Sequence, residues 1–560
     1  MPDRPFSEAE RRRLSPFVTD LDGPVFVLTN LPEEVKGALF SRYSRSTLGL
    51  RELLLKEFLV LPAMREAADH ASESALSLGE GVNLDRAREF FDRILDGYGD
   101  DSIGELGGAH IAIEDVSMIA TKILEDPRIG GSPLEKSTRY VSFADQVNGE
   151  YRFLQEPRLV ASKHKETYIK ACRMLFQTYD ELFPVMHDWF ERLSPRQPGE
   201  TDSEYRRIVK ARAYDSVRGL LPASALTNMG IYGNGRFFEA LLLRLRLIGM
   251  AEADRIADDV QRELSKVIPS FIRRAESNHP HFAAYSGFRR ELREIVRDVA
   301  ALLPRSDRVT TKRAEARLVG FDADAEARVL ASLAFPATDA PLPVLREWAA
   351  GLTEAERERI FGDLAGIRGN RRHKLPRALE TVRYTFDLVG DFGMYRDLHR
   401  HRMLTQERQP LTTRLGFTRP EEIDEAGLRD RFDSAMAAAA DAFEAIAADL
   451  PAEAQYVVPM AYRIRWFVEI SLRELVWLVE LRSGPEGHPA YRRMAQEMFL
   501  AVQSVHPNLA DMIRFVDLDD YVLGRRSAGT RQTKKRIAQT KERKAKAKEL
   551  QTTLFDEWST

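Results

Sequence analysis

The sequence predicts an α+β protein in which helices dominate, and three observations lead to that class. Long segments of strong helix formers recur, such as residues 426–450, which end before Pro451, and residues 463–482, which end before a Ser-Gly-Pro turn. Candidate strands are few and short. The 560 residues are 44% hydrophobic and 30% charged, so the chain can bury a large core and hold two or three domains.

The predicted strands are three short stretches rich in β-branched and aromatic residues. They are residues 24–29 (PVFVLT), 139–143 (RYVSF) and 317–321 (RLVGF). Beside so many helical segments, they indicate a small sheet component in a mainly helical fold.

Composition and motifs exclude several classes of protein. No apolar run approaches the roughly 18 residues of a membrane span, and no apolar stretch follows the charged start MPDRPFSEAERRRL. The single cysteine, Cys172, excludes an internal disulfide framework and a multi-cysteine metal site, and its amphipathic context favours packing over nucleophilic chemistry. The GxGxxG, GxxxxGK[ST], GxSxG and HExxH motifs are absent. We therefore expect a soluble, cytoplasmic protein.

Charge is concentrated near the end of the sequence. Residues 525–560 carry eleven Lys and Arg against four acidic residues, a net +7, whereas the whole chain is at −3 and the remainder therefore at −10. An acidic body argues against a general nucleic-acid surface. The basic tail is either a solvated helix or disordered extension, or a contact for a polyanion.

The segment 304–311 is polar and lacks an apolar period, which is typical of a linker. We predict a first domain over residues 1–303, a second over 312–523 and a flexible basic tail over 524–560.

The two predicted domains resemble one another in sequence. Without a gap, Glu105 aligns with Glu380 and Arg139 with Arg414. A second similarity joins the segments NGRFFEALLLRLR and SLRELVWLVELRS. These similarities predict an internal duplication.

The densest candidate site is the triplet Arg400-His401-Arg402. Three adjacent basic side chains repel one another unless an anion lies between them, and a phosphate of a nucleotide or cofactor would bind the arginines in bidentate fashion. A histidine beside arginines stays mostly neutral and can donate a hydrogen bond to a ring. We expect these side chains at a surface cleft; a solvated basic turn is the alternative.

A polar stripe on the predicted helix 463–482 is a second candidate. Arg465, Glu469 and Arg473 recur every four residues in an otherwise apolar segment. A buried helix tolerates such a stripe only if the charges pair internally or face a wet site. Both interpretations remain open.

With these residues in place, the chain resembles the flavin-dependent thymidylate synthases in both halves. That family is marked by an Arg-His-Arg triplet, a following Ser/Glu/Ser/Arg/Tyr pattern and a preceding Gly-His-x-Ser-x-x-Glu segment. After its triplet, the second half has Thr405, Glu407, Thr412 and Arg414. The first half has Gly99, Ser102, Glu105, Ser132, Glu135, Ser137, Arg139, Tyr140, Asn234 and Arg236.

Each half departs from the family pattern at a different place. In the first half the triplet position holds Glu125-Asp126-Pro127, or Pro127-Arg128-Ile129 if one residue is inserted, and no histidine. In the second half Pro410 replaces a serine. The resemblance covers about two thirds of the chain and not the tail.

The resemblance implies a helix-rich α+β fold and an FAD-dependent conversion of dUMP to dTMP, with methylenetetrahydrofolate and NADPH as co-substrates. It implies catalytic roles for Arg400, His401 and Arg402, and cofactor binding by Arg400, His401, Glu407 and Asn234. It implies substrate binding by Ser137, Arg139, Arg236, Arg402, Arg414 and Arg473. Because the family assembles as a homotetramer, a tandem chain is expected to form a homodimer.

Two other functions remain open. One is a flavoenzyme that modifies another pyrimidine nucleotide or a nucleic acid, and the other is a non-catalytic scaffold linked to replication or repair. The tail segment Gln551-Thr552-Thr553-Leu554-Phe555 resembles the peptides by which bacterial replication and repair proteins bind the DNA sliding clamp. The alternative is that its apolar residues pack on the protein's own body.

Overall fold

A computed structural model describes residues 6–59, 84–91, 101–198, 200–302 and 313–526, and helices dominate them. The chain divides into two compact units that are interleaved in sequence. The first unit comprises Met1–Lys136, Glu156–Arg158 and Leu226–Asp307. The second unit comprises Ser137–Gln155, Leu159–Ala225 and Arg308–Thr560. The predicted domains, residues 1–303 and 312–523, follow the two sequence repeats instead of these compact units, and they stay a prediction.

The first unit builds helices around a small antiparallel sheet. Its helices are α1 (Glu8–Leu14), α2 (Glu33–Tyr43), α3 (Leu50–Leu53), α4 (Leu84–Phe91), α5 (Met118–Glu125), α9 (Gly235–Leu247), α10 (Ala251–Leu264), α11 (Pro269–Ile272) and α12 (Pro280–Ala301). Its strands are β1 (Gly108–Ser117), β2 (Gly131–Glu135) and β5 (Leu226–Asn234), in the order β1-β5-β2. The short helix α6 (Pro157–Val160) lies where the chain passes between the units.

The second unit is larger and also mainly helical. Its helices are α7 (Lys165–Leu193), α8 (Asp202–Val217), α13 (Ala325–Ala334), α14 (Leu342–Gly351), α15 (Glu354–Gly366), α16 (Phe392–Leu398), α17 (Glu421–Glu425), α18 (Arg429–Ala447), α19 (Leu472–Arg482), α20 (Pro489–Val505) and α21 (Pro507–Ala510). Its strands are the hairpin β3 (Gln146–Val147) and β4 (Glu150–Tyr151), and the sheet strands β6 (Glu315–Phe321), β7 (Arg383–Asp391), β8 (Leu404–Arg408) and β9 (Arg463–Ser471). The sheet order is β6-β7-β9-β8.

The two sheets share a pairing register. Gly108 lies opposite Asn234 at one end of the β1–β5 ladder, and Arg383 lies opposite Ser471 at the same end of the β7–β9 ladder. Asn234 and Ser471 each cap the following helix by accepting a hydrogen bond from the backbone three residues later. We call residues at the same ladder position equivalent. The shared register means that each half of the chain builds the same strand–helix unit.

The two halves of the sequence also pair directly inside the second unit, at residues that precede Asn234 and Ser471 by the same number of positions. Pro222 and Pro459 form an antiparallel bridge, and hydrogen bonds run from Ala223 N to Val458 O and from Met460 N to Leu221 O, both 2.9 Å. Helices α7 and α8, from the first half of the sequence, therefore belong to the same compact unit as α18 and β9.

The strand and helix predictions have mixed outcomes. The strand at 317–321 lies within β6, and the helix at 426–450 contains α18, so both are confirmed. Residues 139–143 form a turn and residues 24–29 contribute only a bridge at Leu28, so those two strand predictions are wrong. The backbone of Arg139 joins no β-ladder, and its side chain forms a buried ion pair with Asp215.

The predicted helix 463–482 is wrong in its first half. Residues 463–471 form the central strand β9, and only the remainder is the helix α19. Along β9 the buried residues Ile464, Trp466, Val468 and Ile470 alternate with more exposed ones. This period of two, together with the β-branched residues, is the signal that the helical interpretation overlooked.

The core of the second unit contains Cys172, which is fully buried, and burial raises its thiol pKa to about 12. The prediction that this cysteine is a packed residue is confirmed. Among the described residues, no helix is long and apolar enough to cross a membrane. The predicted linker 304–311 lies outside the described residues, and so does the tail beyond residue 526.

Candidate functional site

The triplet lies in the turn between α16 and β8. Asp391 caps α16, with Oδ1 accepting a hydrogen bond of 2.8 Å from Met394 N. The helix ends at Leu398, and β8 begins at Leu404 and pairs with β9. The turn is therefore fixed by a capped helix before it and a sheet strand after it.

His401 is buried, with 4% of its surface exposed, so the expectation that it lies in a surface cleft is wrong. Its Nε2 accepts a hydrogen bond from Arg482 Nε at 3.0 Å, and its Nδ1 lies 2.9 Å from Glu474 Oε1. Since an arginine can only donate, Nδ1 carries the proton and donates to Glu474. Burial lowers the pKa of His401, while Glu474 opposes this shift. The ring is thus held as a neutral, fixed tautomer. Arg400 is exposed and Arg402 is half-buried.

Arg139 is buried in the same unit and engaged on several sides. Its Nε and Nη2 donate to the two carboxylate oxygens of Asp215 at 2.8 and 3.0 Å. Its Nη1 donates to Tyr491 Oη at 2.8 Å, and Nη2 also reaches Glu486 O at 3.3 Å. Burial opposes the charge of Arg139, but Asp215, Tyr491 and Asp397 together outweigh it and raise the arginine's pKa well above its usual value.

A second buried ion pair lies close by. Arg218 donates from both terminal nitrogens to Asp397 Oδ2 at 3.2 Å. Burial alone would raise the pKa of Asp397, but the positive charges around it lower that pKa well below the usual range. The cations responsible are Arg218, Arg139, Arg400 and Arg482.

Tyr491 joins the first-half arginine to the triplet. The guanidinium carbon of Arg139 lies 5.5 Å from the centre of the Tyr491 ring, and that of Arg482 lies 5.4 Å from it. Arg482 in turn donates to His401. The second unit thus brings Arg139 and the triplet, two sites predicted from separate halves of the sequence, into one network.

His488 lies on the other side of Asp215. Its Nδ1 accepts from Ala490 N at 3.2 Å, so Nε2 carries the proton and donates to the backbone oxygen of Asp215, also at 3.2 Å. Burial lowers the pKa of His488 well below its usual value. Both histidines of the network are therefore neutral, with opposite tautomers.

A cavity of about 840 Å³ opens beside this network, within the size range of small-molecule sites. Asp215, Arg218 and His488 form part of its wall, together with Asp391 and Arg463. Burial raises the pKa of Asp391 and lowers that of Arg463, whose guanidinium donates to backbone carbonyl oxygens. We call this space the candidate cavity.

None of the predicted site residues, including Arg139 and the triplet, is part of the cavity wall, and three of them form ion pairs elsewhere. Arg473 Nη1 lies 2.5 Å from Glu380, and at the equivalent ladder position Arg236 lies 2.7 Å from Glu105. Arg414 forms an exposed pair with Glu444.

The remaining predicted residues have smaller roles in the described contacts. Ser137 Oγ accepts from Arg139 N at 3.2 Å, which shapes the turn before the buried arginine. Asn234 is a helix cap in the first unit, and Glu407 is exposed on β8.

Sequence reasoning missed Asp215, Arg218, Asp397 and Tyr491. The available signal was a charged pair, Asp215 and Arg218, three residues apart at the end of the mostly buried helix α8. Charges in such a position require partners.

The comparisons with known proteins show the family. A family model described as thymidylate synthase complementing protein matches residues 56–270 and 326–508, more than half of the chain in two segments. The chain belongs to the flavin-dependent thymidylate synthase family. The family prediction is thereby confirmed, and the two matched segments fit two tandem domains of this family.

Individual relatives fall into two groups. A UPF0159 protein of Chlamydia muridarum is 46% identical over 520 residues, which are 93% of this chain and 97% of that protein. A flavin-dependent thymidylate synthase of Geobacter sulfurreducens is 33% identical over 141 residues, covering 23% of this chain and 61% of that protein. A solved structure of the flavin-dependent thymidylate synthase of Helicobacter pylori, complexed with FAD and dUMP, matches with a TM-score of 0.27 at 16% identity. The match covers 36% of this chain and 100% of that one.

Proposed function

We propose that this protein is an FAD-dependent methyltransferase that converts dUMP to dTMP, using methylenetetrahydrofolate as carbon donor and NADPH as reductant. The observation that carries the proposal is the network that joins Arg139 through Tyr491 and Arg482 to His401. It gathers cations and a neutral histidine, and Asp215, the carboxylate partner of Arg139, is part of the wall of a cavity of ligand size, in a chain of this family.

The donor set fits a flavin. Guanidinium groups can stabilise negative charge on a reduced ring and can bind phosphate. In the second unit Arg400, His401 and Glu407 would hold FAD, which when bound would supply the redox chemistry of the transfer. For Asn234, in the first unit, cofactor binding is proposed from the family pattern alone. The buried Nε of Arg525, which has no hydrogen-bond partner among the described residues, adds a polar group that a ligand or water could satisfy.

The chain's own residues would divide the remaining tasks. Arg400 and Arg402 flank His401 and would bind the nucleotide and cofactor electrostatically. Ser137, Arg139, Arg236, Arg402, Arg414 and Arg473 are proposed for substrate binding. Because Glu474 and Arg482 engage both ring nitrogens of His401, this neutral histidine would act by fixing the turn from which Arg400 and Arg402 reach the reacting ring.

A spectroscopic experiment tests the proposal. Purified protein is reconstituted with FAD, reduced with NADPH, and mixed with dUMP and methylenetetrahydrofolate. Flavin absorption bands and dUMP-dependent reoxidation with dTMP formation are expected. Absence of bound flavin would favour the scaffold, and bound flavin without a response to dUMP would favour another substrate.

One observation favours a second candidate, a flavoenzyme acting on another pyrimidine nucleotide or on a nucleic acid. Arg139, proposed to hold substrate phosphate, already makes a bidentate contact with Asp215. A phosphate would have to compete with that carboxylate. Reoxidation of the reduced flavin by UMP or by a uracil-containing oligonucleotide, in place of dUMP, decides between the two candidates.

The remaining proposals concern assembly and partners. We propose a cytoplasmic homodimer, for which light scattering at micromolar concentration should give twice the mass of the 560-residue chain. The segment Gln551–Phe555, which lies outside the described residues, is proposed to bind the DNA sliding clamp, with the basic tail contacting nearby nucleic acid. Titration of a peptide of residues 541–560 against the clamp tests this, and the double variant Leu554→Ala with Phe555→Ala should abolish binding.

A further inference from the structure

Residues 517–526 run along the second unit beside the candidate cavity, and the proposed function uses none of their side chains except the unpartnered Nε of Arg525. We call them the strap. Asp520, Tyr521 and Val522 of the strap form part of the cavity wall. The strap is therefore placed where it can influence the site.

Several side chains of the unit hold the strap in place. Arg492 Nη2 lies 3.2 Å from Asp517 Oδ1 and donates to Asp519 O at 2.7 Å, and its guanidinium lies over the Tyr521 ring. Arg212 Nε donates to Val522 O at 3.2 Å. Charged hydrogen bonds to both side chains and backbone fix the path of this segment.

The strap also packs closely on the loop 483–488. A Cβ on Gly524 would overlap the carbonyl oxygen of Pro485, so only glycine allows this approach. The same loop contains Glu486, whose backbone oxygen accepts from Arg139, and His488, which donates to Asp215. The strap therefore touches the loop that surrounds the buried ion pair.

Arg525 of the strap reaches the ion pair itself. Its Nη2 donates to Asp215 Oδ2 at 3.0 Å, and Arg139 Nη2 donates to the same oxygen at the same distance. Its guanidinium also lies 4.9 Å from the centre of the Tyr140 ring. One buried carboxylate is thus shared between two arginines, one from the strap and one from the candidate site.

We propose that Arg525 is a positioning residue: by holding Asp215 it fixes the orientation of Arg139, so the site binds its nucleotide only when the strap is seated. The identity of the nucleotide rests on the proposed function, but the effect of Arg525 on Arg139 does not. Without Arg525, Asp215 Oδ2 loses one of its two cationic partners, and water can enter the place of the guanidinium.

The experiment compares the full-length, FAD-reconstituted protein with Arg525→Ala and Arg525→Lys. The control is Arg431→Ala, which removes an exposed ion pair with Glu181 in the same unit. Hydrogen–deuterium exchange is measured over residues 137–143 and 517–526 without nucleotide, and KM and kcat are measured with dUMP.

Arg525→Ala should raise exchange in both segments and raise KM about tenfold, as expected for a lost charged hydrogen bond, with kcat little changed. Arg525→Lys should restore most of the affinity because it keeps the charge, and Arg431→Ala should match the wild type. Faster exchange in residues 517–526 alone, or an unchanged KM in an active enzyme, would overturn the proposal.

The two proposals fail in different ways. If the wild type does not bind dUMP, the proposed function fails, whereas exchange over residues 137–143 still decides the role of Arg525. If Arg525→Ala does not fold, Gly524→Ala displaces the strap from Pro485 without removing a charge, and it should give the same rise in exchange. Unchanged exchange over residues 137–143 in Gly524→Ala would then contradict the proposal.

Discussion

The two halves of the chain build the same strand–helix unit but fill its centre with opposite chemistry. In the second half, His401 is held between Glu474 and Arg482. Counted from the equivalent ladder positions, the first half has Arg128, Phe237 and Leu245 at these three places. Phe237 and Leu245 are buried, with 3% and 0% of their surfaces exposed. The first half therefore has apolar packing at the two places where the second half has the partners of its histidine.

This difference teaches that equivalent backbones do not carry equivalent sites. An apolar pair needs no partners, whereas a buried histidine requires both of its ring nitrogens to be satisfied. The first half contributes elsewhere, because Arg139 and Arg218 come from its sequence but belong to the second unit. We therefore expect one site per chain, composed from both halves.

The largest expected effect tests this assignment directly. His401→Ala should reduce dUMP-dependent turnover by about 10²–10³-fold, because it removes the shared partner of Glu474 and Arg482 and with it the preorganised charges of the triplet turn. Arg128→Ala, at the equivalent position of the first half, should leave turnover within about twofold. Steady-state dTMP formation measures both variants, and equal losses would place a second functional centre in the first half.

A stability measurement contrasts a buried ion pair of the second unit with an exposed pair of the first. Asp215→Ala leaves Arg139 and Arg525 without their shared carboxylate and should lower the free energy of unfolding by about 3–5 kcal/mol. Glu105→Ala, which removes the exposed partner of Arg236, should change it by about 0–1 kcal/mol. Urea unfolding compares the two, and similar losses would contradict the contrast.

The pH dependence of stability should also differ between regions. Burial lowers the pKa values of His401 and His488 from 6.5, so the folded state binds fewer protons than the unfolded state below that pH. Their contribution to stability is complete above about pH 6.5 and is lost as the pH falls toward the folded-state values. Urea unfolding at pH 7.5 and 5.5 should show this loss. His488→Gln should reduce it, and a variant at the exposed His281 should not.

The smallest effect concerns the exposed ion pair of Arg414 with Glu444. Both side chains are about half exposed, so Arg414→Ala should cost less than about 1 kcal/mol. A role in substrate binding would instead appear as a raised KM for dUMP with normal stability. Unchanged KM would remove Arg414 from the proposed substrate site.

The sequence was sufficient for the fold class, the family and the helix at residues 426–450. The helix prediction failed over residues 463–471, which form β9. Arg465, Glu469 and Arg473 recur every four residues, as on one face of a helix, although the residues of β9 also alternate as in a strand. The sequence indicated the triplet through local spacing but placed His401 at the surface, because its partners Glu474 and Arg482 are distant in sequence. Asp215 and Tyr491 could not be assigned as partners of Arg139, since only tertiary packing brings them to it.

The bridge between Pro222 and Pro459 has a consequence for cutting the chain. A break within residues 304–311 would leave α7 and α8 on one fragment and α18 and β9 on the other, although all four belong to one compact unit. Neither fragment would then bury its own apolar faces, and each should be insoluble or partly unfolded when expressed alone. Mixed together, the fragments should reassemble through each other's exposed core, as the pieces of a split protein do.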